Sequence, residues 1–139
     1  MKTAGYVVDA SIAISWLVLS QQTPLADRVM VEARSGTPFF VPSFWYLEVA
    51  NTLLVLERRK KIEAAQCARA RTALSILDAV VDDEDPRRVL EGVWQLADRY
   101  SLTIYDAMYL ELAIRRGAVL ASRDGDLINA AKKRGVPTL

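Results

Sequence analysis

Tyr6-Val7-Val8-Asp9-Ala10-Ser11 sets a short apolar run directly against a carboxylate, and helical periodicity begins at Ser11. That reads as a buried strand turning into a helix. The same arrangement recurs along the chain. Phe39-Phe40-Val41, bracketed by Pro38 and Pro42, predicts a second strand, Ala79-Val80-Val81 a short third, Ala118 to Ala121 a fourth and Val136 to Thr138 a fifth. Helical patterns fill the intervals: one from Ser11 with a break around Pro24, then Ser43 to Lys60, Ile62 to Leu77, Arg87 to Tyr100, Thr103 to Arg116 and Asp126 to Arg134. Short apolar strands alternating with helices predict an α/β fold, a parallel sheet covered by helices on both faces. Ligands in such sheets bind beyond the carboxyl ends of the strands, near a topological switch point. Asp9 and Asp124 both follow strands.

A chain of 139 residues is one ordinary domain, expected over residues 1–139. A hydrophobic fraction of 52% excludes a disordered chain. With 18 Lys+Arg against 17 Asp+Glu the net charge is +1, so any attraction to nucleic acid must come from local clustering. The single cysteine, Cys67, fits a reducing compartment, and with no histidine to activate it reads as a packing residue. The opening run is too short for a signal peptide, and Ile12 to Leu19 is far short of a membrane span. The expectation is a cytoplasmic protein with no membrane partner.

With histidine absent, the chemistry must be sought among the carboxylates. Asp9, Glu48, Asp106, Asp124 and Asp126 each sit where an apolar run meets a turn or a helix start. Taken singly, each has an ordinary explanation. Asp9 or Ser11 caps a helix, Thr103 and Asp106 have capping-box spacing, and Ser122-Arg123-Asp124-Gly125-Asp126 forms a turn with an N-cap. Glu48 and Asn51, three apart, share one helix face, where Asn51 can orient a carboxylate or a water. Carboxylates scattered in sequence but placed at strand and helix ends can converge into an all-oxygen site for a hard divalent cation.

Taken jointly, these segments match a known order and spacing. Val7-Val8-Asp9-Ala10-Ser11, Val41-Pro42-Ser43 with Glu48 and Asn51, Leu102 to Ala107, and Leu120-Ala121-Ser122-Arg123-Asp124 with Gly135-Val136 together resemble the PIN-domain family over the whole chain. The length resembles that of the VapC-type toxins of prokaryotic toxin–antitoxin pairs. The resemblance implies a three-layer α/β/α sandwich with strand order 3-2-1-4-5 and a ribonuclease dependent on Mg²⁺ or Mn²⁺. It assigns the acidic, metal-binding roles to Asp9, Glu48, Asp106 and Asp124, with Ser11, Asn51, Ser122 and Asp126 in support. RNA as substrate, an antitoxin as partner and a homodimer are further implications. Ser122 departs from the threonine frequent in the family but keeps the hydroxyl.

Arg123, inside the Ser-x-Asp segment, is a candidate RNA contact. The basic clusters at 58–61, 87–88, 115–116 and 132–134 read first as solvated helix ends. Trp16, Trp45 and Trp94 read first as core or interface and only second as base-stacking platforms. Two other functions compete. One is a phosphoryl-accepting switch or phosphatase with Asp9 as nucleophile, although Asp9-Ala10-Ser11 lacks a second aspartate. The other is a non-catalytic RNA- or protein-binding scaffold.

Overall fold

The first two strands have no polar face. β1 (Tyr6–Val8) and β2 (Phe39–Pro42) are buried at every position. Both faces therefore need cover, and parallel strands joined through helices provide it. The computed structural model describes residues 4–139; Met1, Lys2 and Thr3, the start of the expected domain, lie outside the described residues.

Between β1 and β2 lie α1 (Ala10–Leu17) and α2 (Pro24–Arg34). After β2 come α3 (Trp45–Arg58), α4 (Ala64–Ser75) and β3 (Val80–Asp82). Next is α5 (Pro86–Arg88), continued through a π-helical stretch, Val89–Val93, into α6 (Trp94–Tyr100). The chain closes with α7 (Ile104–Arg116), β4 (Val119–Ala121) and α8 (Gly125–Arg134). The sheet runs β3-β2-β1-β4, with every pair parallel. Val7 faces Phe40 on one side and Leu120 on the other.

The fifth strand expected at Val136 to Thr138 is only a small extra, one parallel bridge between Leu120 and Thr138. Pro137 accepts the Leu120 N–H at 2.9 Å but has no N–H to return, so a regular ladder cannot form there. β3 runs one residue further than expected. Its last position is Asp82, buried at 9% exposure, while Val80 and Val81 on this edge strand remain exposed.

α1 to α4 pack against one another, and α7 lies against β1, β2 and β4 with α6 and α8 beside it. The core is filled by fully buried Val7, Val8, Ile12, Val41, Trp45 and Leu120. Trp45 is thus a core residue and not a platform for bases. The Trp16 indole N–H donates to the Ala26 carbonyl at 2.6 Å and its ring meets Phe39 edge-on, while Trp94 is exposed.

Candidate active site

The helices that follow β1, β2 and β4 all leave from the same end of a parallel sheet, and α7, which runs back into β4, starts at that end, so four N-termini gather there. Asp9 caps α1, Glu48 lies in the first turn of α3, Asp106 in the first turn of α7, and Asp124 caps α8. All four carboxylates line one crevice of about 330 Å³. Each helix N-terminus carries unsatisfied N–H groups and partial positive charge, which favour an anion. Capping and membership of the crevice are therefore one placement with two consequences.

Asp9 is the most enclosed of the four, at 6% exposure. The hydroxyls of Ser11 and Ser122 each donate to one of its oxygens, and the Ser11 N–H adds a bond at 2.9 Å. Burial pushes the Asp9 pKa above its ordinary value, and the bonds from Ser11 and Ser122 oppose that rise.

Glu48 and Asp106 are both half-buried. Burial is the main cause of the raised Glu48 pKa; the Tyr109 hydroxyl opposes it, and the charges of Asp9 and Asp106 add to it. Asp106 is likewise raised first by burial, then by the charges of Asp124 and Asp9, with Asp126 a smaller contributor. Asp124 accepts the Leu127 N–H at 3.1 Å.

The supporting residues separate into two groups. Ser11 lines the crevice, and its oxygen also accepts the Arg123 backbone N–H at 3.1 Å. Ser122, 1% exposed, accepts the Asp124 N–H at 2.9 Å while it donates to Asp9. These two serines join the β1 and β4 ends around Asp9. Asn51 and Asp126, by contrast, are exposed and absent from the lining.

On α3 the crevice wall is continued by Thr52, four residues after Glu48, not by Asn51. At about 100° per residue these two lie on opposite sides of Glu48, and the crevice is on the i+4 side. Sequence reasoning also missed Tyr109. Its phenol is 1% exposed and donates to Glu48 Oε1 at 3.3 Å across 61 residues of chain. The available signal was its position three residues after Asp106, on the same face of α7.

The donor set is anionic and entirely oxygen, which suits a hard divalent cation, and a positive charge would relieve the repulsion among Asp9, Glu48 and Asp106. Among the described residues no three of these groups close into a ready-made cage. Mg²⁺ does not require one, since it keeps several waters and takes one or two carboxylates.

A family model described as PIN domain matches residues 6–133. The chain belongs to the PIN-domain family. This PIN domain is 30% identical over 127 residues to Ribonuclease VapC1 of Mycobacterium tuberculosis, in strains CDC 1551 / Oshkosh and H37Rv, with 89% of each chain covered. Among solved structures, PAE2754 from Pyrobaculum aerophilum superposes with a TM-score of 0.65 at 23% identity, over 96% of this chain and 83% of that one. FitAcB from Neisseria gonorrhoeae gives 0.62 at 14% identity, over 96% of both. At these identities the two structures speak to the PIN fold alone. Among the described residues no helix is long and apolar enough to cross a membrane.

Proposed function

We propose that this PIN domain is a divalent-cation-dependent endoribonuclease and the toxin of a toxin–antitoxin pair. The observation that carries the reading is the gathering of four carboxylates at four helix N-termini around one crevice. The similarity to Ribonuclease VapC1 supports RNA as the substrate.

In this reading Asp9, Glu48, Asp106 and Asp124 hold Mg²⁺ or Mn²⁺. The cation, when bound, supplies Lewis-acid activation of water and neutralises charge on the phosphoryl oxygens. Ser11 and Ser122 fix Asp9 by donating to both of its oxygens, and Tyr109 fixes Glu48 through Oε1. In the absence of histidine, a carboxylate of this set accepts the proton of the attacking water. Exposed Leu47, Ile76, Leu90, Trp94 and Tyr105 support protein partners, which we take to be an antitoxin and a second copy of the chain in the cytoplasm.

Purified protein should cut single-stranded RNA with Mg²⁺ or Mn²⁺, stop in excess chelator and recover when the cation is restored. Equal cleavage in chelator, or none with either cation, would overturn the proposal. The antitoxin should be encoded in an adjacent reading frame, copurify with the chain and suppress cleavage.

The Tyr109 contact gives a separate prediction. Tyr109→Phe keeps the ring against Phe44 but leaves Glu48 free to turn. Partners that orient a metal ligand are typically worth 10–100-fold in metal affinity, so roughly ten-fold more Mn²⁺ should be needed to raise the Tm of this variant. An unchanged Mn²⁺ titration would remove Tyr109 from the site.

A further inference from the structure

Among the described residues of the crevice wall, Arg123 is the one cation. Its side chain is not loose. Nη1 donates to Ser15 Oγ at 3.0 Å and to the Gln21 carbonyl at 3.3 Å, which holds the guanidinium against the α1 side of the crevice. Ser15 is fully buried among the apolar residues of α1, and its hydroxyl donates onward to the Ser11 carbonyl at 3.1 Å. A buried hydroxyl in that setting is explained by the two bonds it makes, one of them to Arg123.

A guanidinium has five N–H donors in a rigid fork. The protein occupies those on Nη1, while Nε and Nη2 have no partner among the described residues. That remaining edge presents two parallel N–H groups, the geometry that meets two oxygens of a phosphate. The crevice needs such a group, because its carboxylates repel a polyanionic strand. A cation held by the carboxylates would offset the charge of the phosphate being cut, but a neighbouring phosphate would have no such counter-charge.

We propose that Arg123 binds the phosphodiester of the RNA strand adjacent to the one being cut, with Ser15 as its positioning residue. The proposal rests on the ribonuclease reading above. Lysine cannot replace Arg123 fully, since one ammonium cannot hold the tether and also offer a fork.

Binding of a short labelled single-stranded RNA is followed by anisotropy across a KCl series, using Asp106→Asn protein so that the strand stays intact. Adding Arg123→Ala should weaken binding roughly ten- to hundred-fold. It should also make the slope of log affinity against log salt shallower by about 0.7, the value for one phosphate contact on a single strand. Arg123→Lys should recover the slope but only part of the affinity. Ser15→Ala should cost a few-fold alone and nothing further in the Arg123→Ala background. A merely structural role would lower Tm without moving the salt slope.

An unchanged slope in Arg123→Ala, full additivity of Ser15→Ala, or no RNA binding by the Asp106→Asn protein overturns the assignment. Wild-type cleavage with Mg²⁺, measured alongside, separates the two claims. If RNA is cut while Arg123→Ala keeps affinity and slope, the Arg123 role falls and the ribonuclease reading stands. If wild type cuts no RNA, both fall.

Discussion

Asp106→Asn should cut RNA at least about 1,000-fold more slowly than the wild type in saturating Mg²⁺, a loss of roughly 4 kcal/mol of transition-state stabilisation. The substitution is nearly isosteric. The bond that caps α7 runs from the Asp106 backbone N–H to Thr103 Oγ1 at 3.0 Å and is untouched. What changes is one negative charge on the wall of the crevice, together with the side-chain hydrogen bond that Thr103 makes to it.

The same substitution should make the metal-free protein more stable, and the sign follows from proton linkage. Burial, then the charges of Asp124 and Asp9, raise the Asp106 pKa in the folded state. The folded protein therefore holds this proton more tightly than the unfolded chain. The resulting penalty is absent below the ordinary carboxylate pKa, grows as pH rises, and is complete above the raised folded value. In chelator near pH 7, Asp106→Asn should melt above wild type; below about pH 4 the two should converge. Mn²⁺ should raise the Tm of wild type much more than that of the variant. Undiminished cleavage by Asp106→Asn would end the mechanism proposed here.

Asp82→Asn should have the largest effect on stability while leaving the cleavage rate of folded protein unchanged. Asp82 closes β3 and accepts from Arg115 Nη1 at 3.0 Å and Nη2 at 2.6 Å, from Arg116 at 3.2 Å and from Arg88 at 3.3 Å. Arg115 is held from its other side by Glu111, with Nε at 2.8 Å from Oε1. The network ties the β3 edge to the last turn of α7, the helix whose first turn carries Asp106.

Its arginines are 29–38% exposed, so solvent screens part of the attraction, and we expect a loss of roughly 1–3 kcal/mol. For a chain of this size that lowers Tm by roughly 3–10 °C. The Arg115 hydrogen bonds, followed by the Arg116 contact, hold the Asp82 carboxyl below its usual range against the opposing effect of burial. A depressed folded pKa gives stability that is fully present above the unfolded value and lost as pH falls through the folded one. The Tm gap between wild type and Asp82→Asn should therefore be widest at neutral pH and close below about pH 4. A gap that stays constant from neutral to strongly acidic pH would show that the charge contributes nothing.

Much of the fold was legible because strand and helix announce themselves locally. Tyr6-Val7-Val8 and Phe39-Phe40-Val41 are apolar at every position, which suits strands buried on both faces, and the caps at Asp9, Thr103 and Asp124 mark helix starts. Element ends were less legible. The helix expected over Ser43 to Lys60 is ordered as Trp45–Arg58, and β3 gains Asp82, which lies outside the expected Ala79-Val80-Val81. Nothing local marks Asp82 for burial. Arg115 and Arg116, 33 and 34 residues away, make it possible together with the nearer Arg88.

Membership of the PIN-domain family, the parallel sheet and the positions of the carboxylates were determined by the sequence itself. Each depends on short-range order: an apolar run, a cap, a motif of a few residues. Which polar side chains meet the carboxylates was decided only in three dimensions. Thr52 faces the crevice and Asn51 does not because the helix turns 100° per residue and only one side of Glu48 looks inward. Tyr109 reaches Glu48, and Arg123 reaches Ser15 across 108 residues, because helices leaving the strands and the helix α7 that returns to β4 meet at one end of the parallel sheet. Hydrogen bonds of that kind join residues with no relation along the chain, so no local pattern encodes them.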